Sequence, residues 1–325
     1  MTDLSGYALI GDIGGTNARL ALVELKTGKL TDPVIYSAVT NPSLEDCIKQ
    51  FKERCAFPFT SACIAIACPI TSDHVRMTNN PWEFSIKEMQ ANLGLEKLSV
   101  INDFTAMSMS VPVLSSESIV KLGGGKADLT KPIAVYGAGT GLGVGHLLHI
   151  DQKWLPLPGE GGHMDMAPAN ADEDAILISL RSHMGHVSYE RVLSGAGLVN
   201  IYNVISSRHN RAKAGMLPAD VTKGALQNPA DQDCLESLNV FCRILGSFGG
   251  NLALNLGTFG GVYIAGGVVT HFIDFLKNSD FYQSFISKGR FERMLERIPV
   301  YVITDKLAGL KGAGAVIRQE LGVVL

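Results

Sequence analysis

Short apolar runs alternate along the chain with longer stretches in which apolar and polar residues recur at helical spacing. Apolar runs bounded by glycine, proline or polar residues predict buried strands, and the longer stretches predict helices packed on a sheet. The first half is predicted to hold a hairpin at residues 7–25, strands at 62–68 and 98–103, and helices at 43–54, 85–93 (capped by Ser85) and 104–110. The second half is predicted to hold strands at 133–136, 144–150 and 300–304, a strand, glycine turn and helix over 261–275, helices at 172–183, 195–207, 234–255 and 312–320, and loops or short helices at 206–233.

This alternation of strands and helices predicts an α/β fold. A length of 325 residues exceeds what one hydrophobic core usually holds, so two domains are expected. The last strand and helix are expected to return to the first domain. We therefore predict a small domain of residues 1–113 plus 304–325 and a large domain of residues 114–303.

Two glycine-rich runs, residues 9–19 and 135–144, share one pattern. Each is followed by a short apolar strand, so each predicts the tip of a hairpin and not the start of a helix. Glycine lets the backbone approach an anion closely, and the amide groups at such a tip can donate to phosphate oxygens. For either run alone, a hairpin that only turns the chain remains the alternative.

Two common nucleotide-binding motifs are not matched by the glycine-rich segments of the chain. The dinucleotide motif would need glycine at position 142, which is Leu142, and a helix beneath the loop. The Walker motif fails because Lys126, which follows Gly125, is followed by alanine.

Composition narrows the class of protein further. With 46% hydrophobic residues and 35 glycines, the chain is globular and neither disordered nor fibrous. A net charge of −3 gives no basic surface for nucleic acid, and no apolar run approaches the roughly 20 residues that span a bilayer. We expect a cytoplasmic protein that binds neither nucleic acid nor membrane. Its six cysteines lack the short paired spacing of a zinc site and are expected to be buried, reduced thiols.

Several of these motifs resemble those of known ATP-using enzymes. Residues 12–16, residues 137–141 and the pair Gly266 and Gly267 resemble the two phosphate motifs and the adenosine motif of the actin-like ATPase superfamily, which includes hexokinases. Residues 101–103, 158–163 and 188–195 closely resemble the bacterial glucokinase family, in order and spacing over essentially the whole chain. The cysteine-rich zinc motif of the wider repressor and sugar-kinase group is absent, which indicates the zinc-free branch. The resemblance implies a two-domain actin-like ATPase (ribonuclease H-like) fold with an active-site cleft between the domains.

The resemblance also implies which residues bind the sugar. Asp103, at the exit of an apolar strand, is the expected general base for a sugar hydroxyl, with helix capping as the alternative. The expected sugar-binding residues are Asn102, Asp103, Glu160, His163 and Glu190. A packed histidine at 163 and an exposed helix end at 190 are the alternatives. The turn 78–82 is expected to close over the sugar, unless Trp82 belongs to the core.

ATP and Mg²⁺ are the implied cofactors. The expected nucleotide-binding residues are Asp12, Gly14, Gly15, Thr16, Asn17, Gly139, Thr140, Gly141, Gly266 and Gly267. Asp12 is expected to hold Mg²⁺ through water, or else only to form a turn.

The predicted activity is transfer of the γ-phosphate of ATP to the 6-hydroxyl of glucose, by a homodimer as the resemblance implies. One alternative is a related hexokinase for mannose, fructose or an amino sugar. Another is a catalytically idle sugar sensor, which would have no need of Asp103 as a base. A chaperone-like ATPase is disfavoured because no peptide-binding β domain follows the ATPase part.

Overall fold

A computed structural model describes residues 6–77 and 80–325. Its strands are β1 Tyr7–Ile13, β2 Asn17–Glu24, β3 Val34–Ser37, β4 Phe59–Ile66, β5 His74–Arg76, β6 Glu83–Ser85, β7 Lys97–Asn102, β8 Ile119–Gly123, β9 Ile133–Ala138, β10 Leu142–Ile150, β11 Lys153–Gly159, β12 Gly261–Ala265 and β13 Val300–Ile303. Its α-helices are α1 Leu44–Arg54, α2 Ile86–Leu93, α3 Asp103–Ser110, α4 Ala171–Met184, α5 Gly195–Arg208, α6 Pro218–Leu226, α7 Gln232–Leu256, α8 Ile273–Asn278, α9 Phe281–Ile286, α10 Glu292–Leu295 and α11 Ala308–Glu320.

The two main sheets of the described chain repeat one topology. The first has the order β3-β2-β1-β4-β7, in which β1 pairs antiparallel with β2 and parallel with β4. The second has the order β11-β10-β9-β12-β13-β8, in which β12 pairs parallel with both β9 and β13. In each sheet, a hairpin lies on one side of one strand, β1 or β9, and parallel strands lie on the other; in the second sheet, the antiparallel strand β8 is added at the edge. The predicted α/β class and its restart in the second half are confirmed.

The chain divides into two compact units. The first comprises the described residues up to Ser116 together with Leu147–Pro158 and Asp305–Leu325, and the second comprises Glu117–His146 and Gly159–Thr304. The predicted domain boundaries, 1–113 plus 304–325 and 114–303, stay a prediction.

Within the first unit, α11 packs very closely on α3. A side-chain carbon at Gly312 of α11 would overlap the backbone carbonyl of Ala106 in α3. The glycine therefore permits a contact between two helix backbones, and it fixes how α3 lies on the sheet. Since α3 begins at Asp103, this packing also fixes the position of the proposed base.

Most predicted elements are present, Ser85 caps α2 as expected, and Ser43 caps α1. The helix predicted to run through residue 275 is interrupted, because Phe272 leaves helical geometry between a short 3₁₀ turn and α8. The strand predicted at 300–304 does not return to the first unit, since β13 pairs with β12 and β8. Of the last strand and helix, only the helix, α11, lies in the first unit.

Side chains outside the candidate site agree with an ordinary packed interior. All six cysteines are thiols, and all are buried except the half-buried Cys55. Trp82 is buried, and its indole N–H donates to the carbonyl of Asn41 at 3.0 Å, which supports the core alternative for this side chain. Thr78 and Asn79 of the same predicted turn lie outside the described residues. None of the helices in residues 6–77 and 80–325 is long and apolar enough to cross a membrane.

Candidate active site

The tip of the first hairpin joins β1 to β2 through residues 14–16. The N–H of Gly14 donates to the carbonyl of Asn17 at 3.0 Å and closes the tip. The N–H groups of Gly15 and Thr16 have no acceptor among the described residues. Thr16 and Asn17 are exposed. The tip therefore presents backbone donors of the kind that bind phosphate oxygens.

Asp12 lies beside this tip, directly opposite Arg19 in the β1–β2 ladder. The Nη1 atom of Arg19 is 3.4 Å from Oδ2 of Asp12. Burial raises the pKa of the Asp12 carboxyl above its ordinary value, and the nearby guanidinium partly offsets that increase. A side-chain carbon on Gly309, in the first turn of α11, would lie 3.4 Å from Asp12 Cγ. Sequence reasoning missed both neighbours, and Gly309 lies too far along the chain to be linked to Asp12 by any local pattern.

The donor set at Asp12 suits Mg²⁺ better than a structural transition metal. Residues 6–77 and 80–325 hold no cluster of three histidine, cysteine or carboxylate side chains that could enclose a metal ion. Mg²⁺ in kinases keeps several waters and binds mainly to substrate phosphates, with one or two carboxylates in support. A single carboxylate beside a loop that presents backbone donors fits that role.

Asn102 and Asp103 lie where β7 ends and α3 begins. The Oδ1 atom of Asn102 accepts hydrogen bonds from the N–H groups of Phe104 and Thr105 at 2.8 and 3.3 Å, so Asn102 is the helix cap. Asp103 is the first residue of the helix, and its Oδ1 accepts from Phe104 N–H at 2.9 Å. The capping role considered for Asp103 thus belongs to its neighbour.

The tip of the second hairpin, residues 139–141 between β9 and β10, resembles the first. Gly139 N–H donates to the carbonyl of Gly141 at 2.8 Å, while the N–H groups of Thr140 and Gly141 have no acceptor in the described part of the chain. Thr140 is exposed. The carbonyl of Gly139 accepts from Gly195 N–H at 2.9 Å, so the start of α5 supports this loop.

Glu190 and His163 lie together beside the second loop. Oε2 of Glu190 accepts a hydrogen bond from Leu142 N–H at 2.9 Å and is 4.0 Å from Nε2 of His163. The turn that holds His163 reaches this place because Gly162 packs on Leu142, where a side-chain carbon would overlap the Leu142 carbonyl. Glu160 is exposed at the start of the same turn, and its carbonyl accepts His163 N–H at 3.0 Å.

These positions decide between the alternatives considered from sequence. The His163 side chain is 58% exposed, so the packed-histidine alternative is wrong. The Glu190 side chain is 27% exposed and hydrogen-bonded to the loop, so it is not a solvated helix end. The second unit therefore brings His163, Glu190 and the end of the second loop together, with Glu160 in the same turn as His163, while Asp12, Asn102 and Asp103 belong to the first unit.

Gly266 and Gly267 follow β12 and lie next to the second loop. In register, Ala265 of β12 pairs with Gly137 of β9, so both strands end at the same edge of the sheet. Gly266 has a φ of +90°, and a side-chain carbon there would overlap the backbone of Ala138. Gly267 faces open space. The carboxyl edge of parallel strands is where nucleotides bind in α/β folds, and an open glycine backbone offers a flat surface for a base.

Comparison with known proteins identifies the family. The glucokinase family model matches residues 9–320. A glucokinase of Yersinia enterocolitica is 54% identical over 322 residues, which are 99% of each chain. The solved glucokinase of an Antarctic psychrotroph has a TM-score of 0.88 at 32% identity, covering 97% of this chain and 99% of that one.

A ROK family glucokinase from Streptomyces griseus, solved with glucose and AMPPNP, has a TM-score of 0.65 at 18% identity, covering 97% of this chain and 100% of that one. At that identity the likeness shows the fold alone. The fold is the two-domain actin-like kinase fold expected from the motifs. With a family match over nearly its whole length and a relative that shares more than half of its residues, the chain belongs to the bacterial glucokinase family.

Proposed function

We propose that the chain transfers the γ-phosphate of ATP to the 6-hydroxyl of glucose, with Asp103 as general base. The observation that carries this proposal is the position of Glu190, whose carboxylate accepts a hydrogen bond from Leu142 N–H at the end of the second glycine-rich loop and lies beside His163. A kinase for a polyhydroxy substrate needs sugar-binding and phosphate-binding groups side by side. Family membership and the 54% identical glucokinase support glucose as the substrate.

In the proposed reaction, the 6-oxygen of glucose forms a bond to the γ-phosphorus while the bond from that phosphorus to the β,γ-bridging oxygen breaks. The hydroxyl proton passes to the Asp103 carboxylate, and ADP leaves with the bridging oxygen. Most of the catalysis in such a transfer comes from positioning and charge stabilisation, and the base adds a smaller factor. The Asp103 carboxyl suits this role because the first turn of α3 holds it in place.

We assign sugar binding to Asn102, Glu160, His163 and Glu190. Carboxylates accept from sugar hydroxyls, while the amide and imidazole groups can donate or accept. A substrate that lacks one hydroxyl would leave a polar group of the site unpaired, and that loss is the source of selectivity.

For the nucleotide, we assign both glycine-rich loops to the phosphates and the Gly266–Gly267 pair to the adenosine. In the first loop, Gly14, Gly15, Thr16 and Asn17 take part, and in the second, Gly139, Thr140 and Gly141. Because the N–H groups of Gly14 and Gly139 already close their own loops, the next residues are the expected donors. Asp12 would hold Mg²⁺ through water, and the bound ion would neutralise charge on the phosphate oxygens.

We further propose a homodimer in the cytoplasm. Family membership supports the homodimer, and six cysteines present as thiols suit a reducing compartment. Light scattering coupled to size-exclusion chromatography tests the dimer, since a monomer at micromolar concentration would contradict it.

The activity is tested by ADP release with Mg-ATP, measured without sugar and with glucose, mannose, fructose or N-acetylglucosamine in parallel. Glucose should give the highest kcat/KM. ADP release that is equal with and without sugar would contradict sugar phosphorylation.

The base is tested with Asp103→Ala. This variant should bind glucose in calorimetry but lose roughly 10²- to 10⁴-fold in kcat, the usual contribution of a positioned general base. Asp172→Asn is the matched control, because Asp172 is an exposed carboxylate in the first turn of α4. It should keep the parent kcat. Normal turnover in Asp103→Ala would remove the base assignment and leave the kinase activity intact.

A further inference from the structure

Glu190 contacts both the proposed sugar-binding turn and the second phosphate loop. Its Oε2 atom accepts from Leu142 N–H at 2.9 Å, and Nε2 of His163 is 4.0 Å from the same oxygen. Leu142 follows directly after loop residues 139–141. The other carboxylate oxygen, Oε1, takes no hydrogen bond from the described residues and can accept one from a ligand.

Gly141 makes room for this carboxylate. A side-chain carbon built on Gly141 would lie 2.5 Å from Oε2 of Glu190, closer than real contacts of such carbons. At Gly139, two positions earlier in the same loop, a side-chain carbon would meet nothing within 4 Å. Neither glycine has a positive φ, so the difference between them is the presence of Glu190.

The residues that follow Glu190 fasten the other end of the loop. Gly195 N–H donates to the carbonyl of Gly139 at 2.9 Å. Ser194 caps α5 through Gly197 N–H and donates its hydroxyl to the carbonyl of Glu190 at 2.9 Å. Residues 190–195 thus hold the loop at both ends, through the backbone hydrogen bond to Gly139 at its start and through the Glu190 side chain at its end.

We infer that Glu190 is a positioning residue for the second phosphate loop, and that glucose and nucleotide bind with positive coupling through it. This inference rests on the proposed function, in which Glu190 binds glucose. A sugar hydroxyl bound at Oε1 orients the carboxylate, so that Oε2 faces Leu142 and the loop is ordered before the nucleotide arrives. Coupling of this kind is reciprocal, so nucleotide must raise the affinity for glucose by the same factor.

The first test measures the affinity for Mg-AMPPNP without any sugar, by calorimetry on the full chain. Glu190→Ala should weaken binding by about three- to tenfold, the equivalent of one lost hydrogen bond. Glu190→Gln keeps an oxygen acceptor for Leu142 N–H and should stay within about twofold of the parent. Glu160→Ala removes another proposed sugar ligand that has no contact with the loop, and it should also stay within that range. Unchanged AMPPNP affinity in Glu190→Ala would overturn the inference.

The reciprocal test measures glucose affinity without nucleotide in two loop variants. Gly141→Ala should displace the carboxylate and weaken glucose binding by about three- to tenfold. Gly139→Ala, in the same loop, should bind glucose like the parent. Equal glucose affinity in both variants would overturn the inference, even if Glu190→Ala fails to fold. In the parent, glucose should raise AMPPNP affinity severalfold, and an absence of this effect would contradict the coupling.

These two binding experiments distinguish a failure of the inference from a failure of the proposed function on which it rests. If the parent bound AMPPNP but no glucose, the proposed function would fail, and the sugar-free comparison of Glu190→Ala with Glu190→Gln would still decide the positioning role. Circular dichroism and thermal melting of each variant show whether a loss of affinity comes from the loop or from unfolding.

Discussion

Asn102→Ala should destabilise the start of α3 and displace the proposed base. The Asn102 side chain accepts from Phe104 N–H at 2.8 Å and Thr105 N–H at 3.3 Å, and it donates to the carbonyl of Cys68 at 3.3 Å. Alanine removes all three hydrogen bonds. The first turn of the helix, which begins at Asp103, then lacks both its cap and its tie to the end of β4.

The loss of stability can be worked out from these contacts. Removing an N-cap costs about 1 kcal/mol, and the long hydrogen bond to Cys68 adds about 0.5 kcal/mol. We therefore expect Asn102→Ala to lower the free energy of unfolding by about 1.5 kcal/mol, which is roughly tenfold in the unfolding equilibrium. Because a misplacement of about 1 Å at a reacting group can cost 10²-fold, kcat should fall by roughly tenfold to a hundredfold.

Two variants separate misplacement of the base from general destabilisation. Ser43→Ala removes the cap of α1, where the Ser43 hydroxyl oxygen accepts from Asp46 N–H at 3.0 Å. It should cost a similar free energy of unfolding in urea titration and leave kcat unchanged. Asn102→Ser restores a capping oxygen and should recover most of the stability. The reasoning is refuted if Asn102→Ala loses stability yet keeps the parent kcat, or if Ser43→Ala lowers kcat equally.

Two further substitutions test the support of the first phosphate loop and of α3. Because burial raises the pKa of Asp12, its ionised form destabilises the fold above that pKa, and this cost is absent below the ordinary pKa of a carboxyl group. Asp12→Asn should therefore gain stability relative to the parent as the pH rises from about 4 to about 8, while ATP turnover falls. Scanning fluorimetry at each pH measures the stability, and it would show the opposite trend if the ion pair with Arg19 dominated. Gly312→Ala should lower the free energy of unfolding by about 1–3 kcal/mol and reduce kcat, because its new methyl group would overlap the Ala106 carbonyl. Gly314→Ala in the same helix meets only the Val23 side chain, whose nearest methyl carbon lies at 3.2 Å, and urea titration should find it close to the parent.

Much of the fold follows from local patterns that can be read in the sequence. The two hairpin tips were predictable because glycine-rich turns between apolar runs have few other solutions in a sheet. The helices capped by Ser43 and Ser85 carry their own start signals. Strands such as β3 and β8 were missed, since they are short and their burial does not alternate with period two. The break at Phe272 was also missed because no glycine or proline marks it.

The candidate site was predictable at the level of residue type and family motif, and less so at the level of contacts. Asp103 and Asn102 are neighbours in sequence, yet which of them caps α3 depends on the geometry where β7 ends. The approach of Gly309 to Asp12 and the hydrogen bond from Leu142 to Glu190 join residues distant along the chain. No local periodicity encodes such pairs.

The two glycine-rich loops proposed to bind phosphate look alike in sequence but differ in what holds them. In the first, the backbone carbonyl of Thr16 accepts from Ala38 N–H at 2.9 Å, so the backbone that follows β3 supports the loop. In the second, the Glu190 carboxylate and Gly195 N–H provide the support. Backbone support is independent of any ligand, whereas a carboxylate that also bound sugar, as proposed for Glu190, would tie its loop to the state of the sugar site. A different bound sugar should therefore change the affinity for nucleotide through the second loop and leave the first loop unaffected.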